Sequence, residues 1–389
     1  MNPMFDFFEK KMVESGLVES GAPLFGFLDA RLEWNRRNSE PHGLEELFTI
    51  LHINSLLFSP PAEPYRTIID YLAESGETAI TPRDCETRTF LHDLPIAETP
   101  EIRTLQAFLK KRKGVVIPGY GIITTGSVSL EQAYITFSSI CFACFVKFFC
   151  DFLNNRRDGN ISPRQKAAFE KAVATLYPPA TEAPSLKKGP FGSETEVLAA
   201  MSEAGKQVVT HRLVDSYFGN ISCRLDGTLY ISQTGSSLDN LDGCIDPCPL
   251  DGSSCTGLTA SSELSAHMGI IEKTGCRTIL HGHPPFAVIL SMDCEHRDCN
   301  GRETCHLKCP HHRFVCGTPV VSGEVGTGPH GLCHTVPKVI SEENGAIVHG
   351  HGLFTIGRMD FNQPFKRLLE IENDCRREFF RRVIACEIP

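Results

Sequence analysis

The chain is sparing with polar aromatic side chains: of its 389 residues, one is tryptophan and seven are tyrosine. Past residue 190 the tyrosines are Tyr217 and Tyr230 alone, which leaves the second half few phenolic groups for proton transfer. Positive charge is also short. A net charge of −9 argues against nucleic acid or an anionic membrane as partner, because neither phosphate-rich surface attracts such a chain. A small anionic substrate in a local cationic pocket stays compatible with it. No run of about 18 uncharged apolar residues is present. The best stretch, Ile135–Leu153, is interrupted by Lys147 and Asp151 and reads as a buried helix. The opening segment MNPMFDFFEKKMVESG carries acids early and lacks a basic start followed by an apolar core. It predicts no secretory signal, and a cytoplasmic location is the expectation.

Cysteine, by contrast, is abundant. Seventeen are present, an odd number at uneven spacing, which suits reduced thiols, some of them binding metal, better than a disulfide framework. The length calls for two domains. Between Asn154 and Gly192 the chain reads NNRRDGNISPRQ, a short helical patch, then YPPATEAPSLKKGPFG, a composition typical of a boundary. The expected organisation is a module at 1–155, a linker at 156–190 and a second module at 191–389.

The two halves echo each other. GVVIPGYGIITTG at 114–126 matches GAIVHGHGLFTIG at 345–357, and Thr49-Ile50-Leu51-His52 repeats as Thr278-Ile279-Leu280-His281. This predicts two copies of one fold, with His52, Asn54 and Tyr120 standing where the second copy has His281, His283 and His351. Asparagine and tyrosine are poor ligands for a transition metal, so the first copy is expected to be structural. In the second half, helices are predicted at Glu194–Arg212, Ser261–Thr274, Thr335–Glu343 and Asn362–Val383, with strands at Gly227–Ser232 and Arg277–His281. Alternating strands and helices predict an α/β sandwich.

His281-Gly282-His283 ends a predicted strand. Residues two apart project from the same side of a strand, so both imidazoles can reach one ion, and Gly282 removes a side chain from between them. His351 follows a second buried strand and completes three histidines, the ligand count of a catalytic metal site with a position left open. Glu263, in Ala-Ser-Ser-Glu-Leu, is a candidate general acid/base whose burial is expected to keep its pKa high. Asn220 in Gly-Asn-Ile-Ser, Thr234 and Gly235 in Gln-Thr-Gly-Ser-Ser, and Ser261 and Ser262 supply hydroxyls, an amide and a helix start, which are groups able to replace water around a phosphate.

The order GNIS, QTGSS, SSEL, HGH and HGL resembles the class II aldolase/adducin family over residues 192–385, and weakly over 45–153. The resemblance implies a three-layer α/β/α sandwich, here as two similar modules in tandem. It also implies one divalent metal, zinc with manganese or iron as alternatives, on His281, His283 and His351. It assigns the phosphate to Asn220, Thr234, Gly235, Ser261 and Ser262, and acid/base work to Glu263. The implied activity is that of a lyase cleaving a hydroxy-ketone or sugar phosphate through a metal-stabilised enediolate, in a homo-oligomeric dimer or tetramer. Dehydratase, epimerase and decarboxylase reactions run on the same fold, and a non-enzymatic adducin-like interaction module is the alternative from another class.

One region departs from that family. Residues 294–316 place Cys294, Cys299, Cys305, Cys309 and Cys316 in an insertion, and Cys244, Cys248 and Cys255 form a second group. The spacings of the first group fit neither a zinc ribbon nor a ferredoxin, so unpaired or occasionally oxidised thiols are the main reading, with a second metal or an iron–sulfur cluster on those five cysteines as the alternative. Gly326-Thr-Gly328-Pro-His-Gly331 formally matches GxGxxG, but no acidic residue follows at the ribose position, and it reads as a glycine-rich turn.

Overall fold

The computed structural model describes residues 2–36, 43–214, 217–253, 259–296, 298–301 and 304–385. The chain divides into two units, Met1–Pro178 and Pro179–Pro389. The division falls within the 156–190 stretch, which also contains a helix at 163–174.

The first unit contains α1 (Pro3–Glu14), β1 (Leu24–Leu28), β2 (Leu32–Trp34), α2 (Leu44–Leu51), β3 (Ser55–Ser59), α3 (Tyr65–Ala73), β4 (Ala79–Ile80) and α4 (Cys85–Leu91). It continues with β5 (Leu94–Pro95), α5 (Ile102–Leu109), β6 (Gly114–Ile117), β7 (Gly121–Gly126), α6 (Leu130–Arg157) and α7 (Pro163–Ala174). Its main sheet runs β2-β1-β3-β7-β6, all antiparallel. The apolar run lies in α6, the one helix among the described residues long and apolar enough to cross a membrane. Phe137, Ile140, Cys144, Phe148 and Phe149 along it are buried in this unit's interior. Phe169 of α7 stacks on Phe152 of α6 with centroids 3.7 Å apart, so the middle of the expected linker is a packed helix.

The second unit contains α8 (Glu194–Thr210), β8 (Asn220–Leu225), β9 (Thr228–Ser232), β10 (Ile245–Pro249), α9 (Leu264–Thr274), β11 (Thr278–Gly282) and α10 (Pro285–Met292). After these come β12 (Arg313–Val315), β13 (Thr318–Val321), α11 (Leu332–Thr335), β14 (Ala346–Val348), β15 (Gly352–Gly357) and α12 (Asn362–Ala385). The sheet order is β10-β9-β8-β11-β15-β14-β13-β12, with β13–β14 the parallel pair. Its central strands are buried along their whole length: every residue of β11, β14 and β15 is. Strands covered on both faces read as near-continuous apolar runs. On one face Ile279, Phe354 and Ile356 pack with Ile270 and Ile271 of α9. On the other, Thr355 Oγ1 donates to the Pro364 carbonyl and Leu368 sits opposite Gly282, which brings α12 against the sheet. The fold is mixed α/β.

Two details differ from the sequence reading. The helix expected at Thr335–Glu343 is instead α11 followed by a single 3-10 turn at Val336–Lys338, because Pro337 has no N–H to continue a helix. The repeated Thr-Ile-Leu-His tetrapeptide is also not one structural element. Residues 49–51 end α2, and His52 is its left-handed C-cap, whereas 278–281 form part of β11. Register gives another correspondence: Phe58 of β3 faces Ile123 of β7 as His281 of β11 faces Phe354 of β15.

The start of α10 shows how the strand-to-helix turn after His283 is held. Pro284 and Pro285 fix the entry but provide no capping side chain. Glu372, from α12, takes that role and accepts hydrogen bonds from the Phe286 and Ala287 amides at 3.0 and 2.9 Å. Burial pushes its pKa up to about 8, against the pull of those two donors and of Arg376. Glu372→Ala therefore strands two buried N–H groups, at a cost on the order of 1–3 kcal/mol each. Urea unfolding followed by circular dichroism checks this, since the single tryptophan, Trp34, lies in the other unit. The sign with pH follows from the raised value. The folded state keeps a proton that the unfolded chain loses near 4.5, so this contribution is present below that pH and is lost as pH rises toward about 8. Relative to Glu372→Gln, the unmodified protein loses stability across that window; a parallel pH dependence in the two proteins would refute the assignment.

Candidate metal centre

His281 lies near the end of β11 and His283 just beyond it, while His351 sits in the turn from β14 to β15. That turn depends on two glycines. Gly350 has φ +60, and a Cβ on Gly352 would lie 2.6 Å from the Gly282 carbonyl oxygen and from His281 Cε1, so only glycine admits the imidazoles there. Gly282 has a different role from the one its position suggests. Its missing Cβ clears the Leu213 carbonyl, away from the histidines.

The ligand atoms of the three histidines lie within 4.8 Å of one another, and all three residues are buried. His281 Nδ1 donates to the Leu353 carbonyl at 3.2 Å, which turns the Nε2 lone pair toward the centre. Nε2 of His283 is 3.0 Å from Nε2 of His281. Phe354 stacks on His281 at 3.9 Å and Phe218 on His283 at 5.6 Å between centroids. Burial drives the His281 pKa down to about 4 and that of His283 well below its ordinary value. Both rings are thus held neutral, the form that ligates metals. His349 is turned elsewhere, its Nδ1 2.9 Å from the Ser291 carbonyl oxygen and 3.1 Å from Arg313 Nη1.

Glu263 holds the N-cap position of α9, but its side chain makes no capping hydrogen bond. Its Oε2 is 3.3 Å from His281 Nε2 and its Oε1 is 3.2 Å from His351 Nε2. Burial alone raises a carboxyl pKa, but His281, His351 and the Asn220 amide outweigh it and hold Glu263 well below the carboxylate range. The expectation of a raised pKa is overturned here, because the Asn220 amide donates to the carboxylate and the neighbouring imidazoles attract it when they carry a proton. Oε1 of Glu263 and Nδ1 of His283 are buried without a hydrogen-bond partner. Buried imidazoles converging on one point beside a buried carboxylate form a donor set that suits a divalent cation.

A second chain of contacts lies behind the carboxylate. Asn220 Nδ2 donates to Glu263 Oε2 at 2.6 Å, Asn220 Oδ1 is 2.5 Å from His267 Nε2, and His267 Nδ1 is 2.7 Å from Ser222 Oγ. Asn220, expected at a phosphate, is thus engaged with the carboxylate. The sequence reading missed His267, although its spacing of four from Glu263 at a helix start was a usable signal. Burial lowers the His267 pKa to about 3.

The other phosphate candidates are brought together at the rim. The Ser261 amide donates to the Ser232 carbonyl at 3.0 Å and the Thr234 amide to the Thr259 carbonyl at 3.0 Å, so the Gln-Thr-Gly and Ala-Ser-Ser loops run side by side. Thr234, Gly235 and Ser262 are exposed there, whereas Ser261 is buried. The five insertion cysteines separate: Cys316 pairs by hydrogen bond with Cys375, and the other four stay in the loop between α10 and β12. Cys248 lies in β10 with Cys244 just before it; Cys255 is outside the described residues.

Residues 199–379 match the family model described as class II aldolase and adducin N-terminal domain. No curated protein matches the chain. Among solved structures, L-fuculose-1-phosphate aldolase from Thermus thermophilus is 22% identical with a TM-score of 0.40, covering 50% of this chain and 97% of its own. A sugar-phosphate aldolase from Thermotoga maritima is 15% identical with a TM-score of 0.35, covering 49% and 96%. The class II aldolase domain of a Thermoplasma acidophilum protein is 13% identical at 0.35, covering 51% and 97%. The likeness to the class II aldolase and adducin family thus lies in residues 199–379, a little under half of the chain.

Proposed function

We propose that the second unit is a metal-dependent lyase of the aldolase type, acting on a hydroxy-ketone or sugar phosphate. The observation that carries this reading is the convergence of three buried histidines on one buried carboxylate. His281, His283 and His351 would hold one divalent ion, zinc in this reading. When bound, such an ion supplies Lewis acidity toward a substrate carbonyl and its neighbouring hydroxyl. Glu263, held as a carboxylate, takes the proton of the hydroxyl β to that carbonyl as the carbon–carbon bond breaks and an aldehyde leaves, and delivers it to the carbon left beside the carbonyl. Asn220, itself oriented by His267, keeps the carboxylate aimed. The exposed hydroxyl of Ser262, the backbone at Gly235 and Thr234, whose hydroxyl would turn from the Ala260 carbonyl, receive the anionic end of the substrate, with Ser261 behind them.

The first unit is, in the same proposal, a copy that has lost this chemistry. Its sheet order β2-β1-β3-β7-β6 parallels β9-β8-β11-β15-β14 of the second. Counted from the paired Gly-x-Gly strands, Leu24, Phe58, Pro60 and Tyr120 take the positions of Asn220, His281, His283 and His351. A homo-oligomer, dimer or tetramer, belongs to the proposal as well, and mass photometry showing a monomer would remove it.

His281→Ala/His283→Ala is expected to lose one divalent ion per chain, read by elemental analysis; an unchanged content refutes the site. On a substrate found by screening sugar phosphates and hydroxy-ketones, Glu263→Gln should lower turnover by about 10²–10⁴-fold with the ion retained. Full turnover in that variant would remove Glu263 from the mechanism.

A further inference from the structure

The loop between α10 and β12 has almost nothing with which to build a core. From Cys294 to His312 it reads CEHRDCNGRETCHLKCPHH, in which Leu307 is the one large aliphatic side chain. A segment this polar holds a defined shape only when something other than apolar burial staples it. It is nonetheless well tied to its surroundings. Arg313 Nη2 clasps the base by donating to the Ser291 and Asp293 carbonyls at 2.7 and 2.9 Å. Ser322 Oγ donates to the Cys305 carbonyl at 2.5 Å, and the Gly323 amide to the His306 carbonyl at 2.9 Å.

These ties set the cysteines of the loop in two pairs, with Cys294, Cys299 and Cys309 all near enough to Cys305 to act on its thiol. His296 and His311 stack at 3.9 Å with their planes 12° apart, which sets the arm carrying Cys294 beside the arm carrying Cys309. Cys299 and Cys305 close over Gly301: Cys305 Sγ is 3.6 Å from the Gly301 carbonyl oxygen, and a Cβ on Gly301 would lie 3.8 Å from Cys299 Sγ. Cys305 is the buried member. Burial pushes its thiol pKa up, as do the nearby Cys309, Cys294 and Cys299 thiols, with Arg313 acting against them. All four are thiols, not disulfides.

We propose that Cys294, Cys299, Cys305 and Cys309 form a structural tetrathiolate site for a single zinc-class divalent ion, separate from the histidine centre. Four thiolates around one such ion make a closed tetrahedral site that staples a loop. On binding, the four thiols release their protons to solvent and the sulfurs draw inward. Among the described residues the histidines form the group whose ligand atoms lie within 4.8 Å of one another; the four sulfurs are farther apart than that and would have to close in on binding. The staple would also reach the histidine centre mechanically, because Arg313 at the loop base contacts His349, two residues before His351.

The test uses full-length protein prepared without oxygen, as the unmodified chain, His281→Ala/His283→Ala and Cys305→Ser/Cys309→Ser. Zinc, acid-labile sulfide and reactive thiols are measured per chain. The histidine variant should keep one zinc that shields four thiols, and its cobalt-substituted form should show strong sulfur-to-metal charge-transfer absorption in the near ultraviolet. The cysteine variant should lose that ion and keep the one on the histidines. A histidine variant with no metal and fully reactive thiols overturns the site, as does acid-labile sulfide or a disulfide among the four cysteines. The histidine-variant count stands even if the cysteine variant fails to fold, and it is independent of whether the histidine centre proves catalytic.

Discussion

Taking a carboxylate out of water costs several kcal/mol unless donors or opposite charge replace the lost solvent. Glu263 is buried among the sheet strands, and most of the second unit's central architecture answers that cost. Asn220 reaches it from β8, His281 from β11 and His351 from the β14–β15 turn. The three elements are brought together because β8, β11 and β15 are adjacent strands. Gly352 lets the imidazoles approach without a Cβ clash, and Gly350 supplies the left-handed backbone of the turn. One oxygen of the carboxylate and one nitrogen of His283 keep unsatisfied polar capacity, and a positive charge held between the imidazoles would offset the cost of burying the carboxylate.

The histidines were legible in the sequence because their chemistry is local. Two imidazoles separated by one glycine at a strand end share a side by the pleat, and a third follows a repeated Gly-x-Gly pattern. The duplicated strand pair was legible for the same reason, since 114–126 and 345–357 each carry strand, turn and strand in a single stretch. The match of His52 to His281 misled because an identical tetrapeptide adopts helix in one place and strand in the other. Tertiary pairing, not local propensity, decided that register.

What remained hidden depends on contacts between distant residues. Asn220 sits in a motif suggestive of a phosphate, yet its amide is turned inward by His267 and Glu263, which no spacing rule announces. The low pKa of Glu263 was missed by considering burial without its neighbours. Glu372 is concealed most thoroughly: in the sequence it is one acid among many on an amphipathic helix, and its partners are amides 85 and 86 positions earlier.

That separation has a consequence for the order in which the protein is made. Synthesis delivers β11, His283 and the start of α10 long before it delivers the carboxylate that holds the first turn of that helix. Until α12 has left the ribosome, those two amides have only water to bond, and the segment carrying His283 is tethered at one end. The histidine pocket is therefore among the last parts of this unit to become rigid.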